Sequence, residues 1–114
     1  KLPDPTKIGN SGSFFKNPVI SISQFLLLQK EFPTIPSYPV SDTEIKIPAG
    51  WLVEQSGFKG KRFGDAGVHK KQALVLVNYN HASGKEIYEL AKKIQKTVKS
   101  KFRVSLEIEV NIID

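Results

Sequence analysis

Chemistry in this chain has to be built from a short list of side chains. There is no cysteine, which removes a thiol nucleophile, thiolate metal sites and disulfides together. His69 and His81 stand far apart and neither forms a helical pair with a second ligand, so no metal signature is present. What remains is Ser13, at the end of the run Gly9-Asn10-Ser11-Gly12-Ser13, and the carboxylates Glu107 and Glu109 near the end of the sequence. A serine hydroxyl in such a turn can donate a proton to a strongly basic intermediate within hydrogen-bond reach, and the loop also carries backbone amides that could face an anion. On residue type alone, a turn or capping role is the preferred reading of Ser13, and solvated surface that of both glutamates. The glycine run has no strand before it and no Gly-Lys-Ser ending, so it is neither a Walker loop nor a dinucleotide fingerprint. An isolated flavin or NADPH site is therefore not supported.

These residues need elements to position them. Residues 1–18 carry Pro3, Pro5 and Pro18 as well as the glycine run, and read as a tightly turned loop. After an extended piece at Val19 and Ile20, Ser21 and Gln24 have capping-box spacing ahead of Phe25, Leu28 and Phe32, which predicts a helix of about three turns. Pro33, Pro36, Pro39 and Pro48 deny the next segment a continuous helix, and Glu44 to Ile47 alternates like a short strand. Pro48 suits the first turn of a second helix through Trp51, Leu52 and Gln55, with Gly57 free to end it in the left-handed conformation. Phe58 to Gly67 reads as a basic, glycine-rich loop.

Ala73 to Val77 is an unbroken apolar run, read as a strand buried on both faces. Ser83 and Glu86 repeat the capping-box spacing, and Ile87, Leu90, Ala91, Ile94 and Val98 draw one apolar stripe along a helix ending near Phe102. In the last stretch Val104, Leu106, Ile108, Val110 and Ile112 alternate with Ser105, Glu107, Glu109 and Asn111, so one strand face is core and the other is water or cleft. Strands and helices mix without a regular βαβ repeat. The expected class is α+β, a small, mostly antiparallel sheet with about three helices packed on it, and residues 1–114 form one domain.

No apolar run approaches the roughly 18 residues of a membrane span, so a soluble protein is expected. The chain begins at Lys1 and contains no methionine, which suggests a piece of a longer protein. Its formal charge of +6 would suit a polyanion or a phosphorylated ligand. Much of that excess sits in Lys92, Lys93, Lys96, Lys99 and Lys101, in the second half of one predicted helix, where cations complement the negative helix end.

Six ordered blocks carry a more specific signal: Lys1-Leu-Pro-Asp-Pro5, Gly9-Asn-Ser-Gly-Ser-Phe-Phe-Lys-Asn-Pro18, Ile47-Pro-Ala-Gly-Trp-Leu52, Gly64-Asp-Ala-Gly-Val-His69, Gln72-Ala-Leu-Val-Leu-Val-Asn78 and Leu106-Glu-Ile-Glu-Val110. In that order, over nearly the whole chain, they resemble the C-terminal, substrate-binding domain of the UDP-N-acetylenolpyruvoylglucosamine reductase family. The resemblance implies a bacterial cytoplasmic oxidoreductase of peptidoglycan biosynthesis, using FAD and NADPH to convert UDP-N-acetylglucosamine enolpyruvate to UDP-N-acetylmuramate. It also implies that the flavin is held by upstream domains of the same protein, so that this fragment binds no cofactor and does not turn over alone.

Residue roles follow from the same resemblance. Ser13 matches the family's general acid, and Glu109, the second glutamate of Leu-Glu-Ile-Glu-Val, is expected at the substrate carboxylate and enol as a protonated or hydrogen-bonding carboxyl group. Lys1 would attract the enolpyruvyl carboxylate or phosphate. Asn17, Tyr38, Lys59 and Gln72 match positions that hold the UDP portion, the lysine for phosphate charge and the others for directed hydrogen bonds. Judged without the resemblance, Tyr38 reads as core packing in a proline-rich corner and Gln72 as a strand-edge amide. Two other functions stay in view: a stand-alone UDP-sugar-binding module without catalysis, and a nucleic-acid-binding domain. The second is ranked lower, because no aromatic and basic recognition surface accompanies the charge.

Overall fold

In the computed structural model residues 14–64, 66–71 and 84–109 are described, together with the backbone of 76–78. Strand β1 (Val19–Ser21) runs directly into helix α1 (Ile22–Glu31). The switch is local: Ser21 keeps an extended backbone and its hydroxyl accepts from the Gln24 N–H at 3.1 Å, which satisfies a first-turn donor. The Gln24 side chain does not complete the capping box. It donates to the Arg103 carbonyl at 3.1 Å, tying α1 to the far end of the chain.

The proline-rich stretch still yields two short strands, β2 (Tyr38–Pro39) and β3 (Glu44–Lys46). With β1 they form an antiparallel sheet in the order β1-β3-β2. Pro39 is tolerated because β2 lies at the edge, where a missing N–H breaks no central ladder. Helix α2 (Ala49–Gln55) follows, with Pro48 as its N-cap rather than in its first turn, and Gly57 just beyond it at φ +87°.

The segment expected as a loop from Phe58 to Gly67 contains a hairpin instead. β4 (Arg62–Phe63) pairs with β5 (Ala66–Val68), and Phe63 stands opposite Ala66 across a two-residue connection. Gly64 takes φ +64°, the positive value that the first position of a tight hairpin turn requires. β6 (Leu76–Asn78) completes a second antiparallel sheet, ordered β4-β5-β6. The strand expected at Ala73–Val77 is thus seen at its C-terminal end, while residues 72–75 lie outside the described ones. Among the described residues the antiparallel strands are divided between two small sheets, and the helices number three.

Helix α3 (Gly84–Phe102) is the long element the apolar stripe predicts: Ile87, Leu90, Ala91, Ile94, Val98 and Phe102 are all buried. Its proposed cap, Ser83, lies outside the described residues. At its end Phe102 meets Phe32 and Trp51, with ring centroids 4.6 and 5.6 Å away, so one aromatic cluster joins all three helices and their following turns. Arg103 stops the helix in the left-handed region at φ +58° without a glycine. That conformation is unfavourable for a residue with a Cβ. It is held by the Gln24 bond to its carbonyl and by a 2.9 Å ion pair from its guanidinium to Glu31.

The chain then runs extended from Val104 to Glu109. Val104 and Leu106 are buried while Ser105, Glu107 and Glu109 are exposed, as the alternation predicts. Among the described residues this segment pairs through one antiparallel bridge, Phe15 with Ile108.

Candidate functional site

Two stretches far apart in sequence meet at that bridge. The Glu109 N–H donates to the Phe14 carbonyl at 2.7 Å, and the Lys16 N–H donates to the Glu107 carbonyl at 2.8 Å. Phe14 and Phe15 are buried, with rings 5.3 Å apart, and Phe14 also meets Tyr88 of α3 at 6.4 Å. Burying two aromatic rings fixes the end of the first loop to the core, so the backbone contact to the Glu109 segment is not a loose one. Ser13, Lys1 and Gln72 lie outside the described residues. Ser13 is nevertheless the sequence neighbour of Phe14, and Glu109 is exposed directly beyond the Phe14 bond.

After Lys16 the chain changes partners. Pro18 has no N–H to continue the pairing with the 104–107 segment, and its carbonyl accepts instead from Ile47 of the β3 side at 2.9 Å. Between β1 and residues 103–107 this leaves a cavity of about 500 Å3, whose polar lining includes Lys16, Asn17, Gln24, Lys99 and Arg103. Asn17 sits at this crossover. Its Oδ1 accepts from the Ala49 N–H at 2.8 Å, capping α2 in place of Pro48, which makes no side-chain cap. Residue type did not reveal this structural duty, because the capped helix begins 32 residues later.

Tyr38 is on β2 and is 58% exposed, so the core-packing reading of this residue is excluded. Directly opposite it on β3 is Lys46, and opposite Lys46 on the other side is Val19 of β1. Opposed residues in antiparallel strands share a face. Tyr38, Lys46 and Val19 therefore form one row across the outer face of the sheet, and Asn17 precedes that row by two residues. Lys59 lies elsewhere, just after α2, and pairs with Glu54 at 3.1 Å.

An isoalloxazine ring needs a flat apolar slot. One described cavity mixes the cations Lys16, Lys99 and Arg103, the amides Asn17 and Gln24 and the carboxylate Glu107 with Pro18, Val19, Ile20 and Val104, and another, of about 260 Å3, is lined by Phe63, Glu86, Glu89, Leu90 and Lys93. Charged groups line both, so neither described cavity is such a slot, and no step is routed through a redox cofactor on this chain. Among the described residues no cluster of His, Asp or Glu could hold a metal ion, and no helix is long and apolar enough to cross a membrane.

A small α+β domain whose first loop and last extended segment converge is the class of molecule these features define. Residues 4–113 match the family described as UDP-N-acetylenolpyruvoylglucosamine reductase, C-terminal domain, and the chain belongs to that family. It is 62% identical over 113 residues to the UDP-N-acetylenolpyruvoylglucosamine reductase of Flavobacterium johnsoniae, a match covering 99% of this chain and 34% of that protein. The reductases of that name from Porphyromonas gingivalis and Chromobacterium violaceum are 55% and 54% identical, each over 99% of this chain and 33% of the relative. The chain thus spans about a third of the length of the curated relatives it matches.

Proposed function

We propose that this chain is the substrate-binding and proton-donating part of a UDP-N-acetylenolpyruvoylglucosamine reductase, with the flavin held by domains of the same protein outside it. The observation that carries the reading is the 2.7 Å bond between Glu109 and Phe14, which brings the last segment against the residue that follows Ser13. Family membership supplies the reaction. Reduction of the enolpyruvyl double bond adds hydride to one carbon and a proton to the other. FAD and NADPH of the complete enzyme supply the hydride, and this chain supplies the proton.

In this reading the Ser13 hydroxyl protonates the carbanion or enol carbon, and a serine can do so only because that carbon is strongly basic. Glu109, as a protonated carboxyl group, donates a hydrogen bond to the substrate carboxylate or enol oxygen, where negative charge builds up during the reaction. Lys1 attracts the carboxylate or phosphate. Asn17 and Tyr38 hold the UDP portion from the crossover and the outer sheet face, with Lys59 and Gln72 as further contacts. Asn17 can combine this with its capping role, since Oδ1 is engaged by Ala49 while the amide nitrogen is a separate donor.

The decisive measurement separates the half-reactions in the full-length enzyme. Ser13→Ala should leave flavin reduction by NADPH unchanged and slow flavin reoxidation by UDP-N-acetylglucosamine enolpyruvate by about 10²- to 10⁴-fold, the range for loss of a general acid. Equal slowing of both half-reactions, or unchanged reoxidation, would refute the proton-donor role.

A further inference from the structure

We infer that His69 is a positioning residue for nucleotide binding: its imidazole fixes the bend from which the chain enters Gln72, at the end of the β4-β5 hairpin where Lys59 also lies. The inference rests on the UDP-sugar reading above, in which Lys59 and Gln72 are contacts, and assigns a residue which that reading does not use.

The first support is the place of His69 in the hairpin. Beyond the paired residues of β4 and β5 the backbone bonding continues outward: the Val68 N–H donates to the Lys61 carbonyl at 2.8 Å, and the Gly60 N–H donates to the His69 carbonyl at 3.2 Å. Lys59 therefore leaves one arm of the hairpin where His69 ends the other, although the whole turn separates them in sequence. Two residues past His69 stands Lys71, the sequence neighbour of Gln72. The backbone of His69 is thus tied to the residue after Lys59, and its side chain acts on the residue before Gln72.

The second support is that side-chain bond. His69 Nδ1 accepts from the Lys71 N–H at 3.0 Å. A side-chain acceptor on one residue and a backbone donor two residues on is the arrangement of an Asx turn, here with imidazole in place of an amide or carboxylate. The chain does bend at Lys70 and Lys71 before it returns as β6. His69 is half-buried, whereas Lys70 and Lys71 are exposed. An exposed N–H would find water without the imidazole, so the bond does not rescue a stranded donor. It selects one course of the backbone just ahead of Gln72, and the fraction of molecules that hold the bend is the fraction ready to receive the ligand. Because Nδ1 accepts, it carries no proton, and a ring of similar shape without that nitrogen cannot replace it.

The test is calorimetric titration of the full-length enzyme with UDP. His69→Phe keeps a planar ring without an acceptor, and His69→Asn gives up the ring but puts an amide oxygen at the place of Nδ1. Loss of one neutral hydrogen bond should weaken UDP binding to His69→Phe by about fivefold to tenfold, while His69→Asn should stay within about twofold of wild type. In a Gln72→Ala background His69→Phe should cost nothing further, because the contact it aims is gone. Flavin reduction by NADPH should be unchanged in each variant, which a general loss of structure would not allow. Four results would each overturn the assignment: wild-type UDP affinity in His69→Phe, a loss in His69→Asn as large as in His69→Phe, the same effect of His69→Phe with and without Gln72, or slowed flavin reduction in His69→Asn. Failure of the wild-type enzyme to bind UDP, or a Gln72→Ala variant that binds it like wild type, would instead remove the contact reading beneath the inference, and the inference with it.

Discussion

Asn17 shows how one side chain can serve fold and ligand at once. Asn17→Ala deletes the acceptor for the Ala49 N–H and should cost about 1 kcal/mol of stability, the usual worth of a lost N-cap. Asn17→Asp keeps an acceptor at that point but exchanges an amide donor for a negative charge. It should unfold in urea near the wild-type midpoint while binding UDP distinctly more weakly; wild-type affinity in the Asp variant would confine Asn17 to its capping role. Glu109 permits a similar separation, because its contact to Phe14 uses the backbone N–H and not the carboxyl group. Glu109→Ala should leave the urea midpoint unchanged and slow only flavin reoxidation, and a shifted midpoint would mean that the side chain supports the fold. Residue type raised Ser13 and Glu109 but preferred a turn and a solvated surface for them, and their roles, like the candidacy of Tyr38, came only with the resemblance. A hydroxyl in a turn and a glutamate on a polar strand face are ordinary surface features until the partner segment is known.

At the scale of elements, what could be read depended on whether the signal was local. The α3 stripe recurs at helical spacing over many residues and was legible from Ile87 to Phe102. The Ser21 cap was equally visible, and Ser21→Ala should lower stability by about 1 kcal/mol, measured by urea denaturation; an unchanged midpoint would mean that Gln24 and its bond to Arg103 fix the start of α1 without the hydroxyl. The β4-β5 hairpin was not read, although Gly64-Asp65 is a two-residue turn signal. Its strands are only two and three residues long, too short for alternation to show. β2 was hidden for a related reason: Pro39 argues against a strand unless that strand lies at an edge, and strand order is a tertiary property. In the final segment the alternation gave the pattern of burial from Val104 to Glu107, but alternation cannot name a partner, and the partner seen among the described residues is Phe15, opposite Ile108.

For the whole molecule, the excess positive charge and the apolar core separate cleanly. Lys92, Lys93, Lys96, Lys99 and Lys101 are exposed on α3 while the opposite stripe is buried. Lys93 lies over the Phe63 ring at 4.6 Å and Lys101 donates to the Gln55 carbonyl at 2.7 Å, so part of this charge is engaged within the fold itself. The core in turn couples distant parts of the site. Phe102 is fully buried against Phe32 and Trp51, and the residues after it form the extended segment that ends at Glu109. Phe102→Ala should therefore cost about 3–5 kcal/mol, a large share of the roughly 5–15 kcal/mol that stabilises a typical domain. If the site depends on the core holding this segment against Phe14, the same variant, assayed at a temperature where it remains folded, should lose flavin reoxidation by substrate while retaining flavin reduction by NADPH. A destabilised variant with wild-type reoxidation would show that the bond between Glu109 and Phe14 holds the two segments together without help from the helix end.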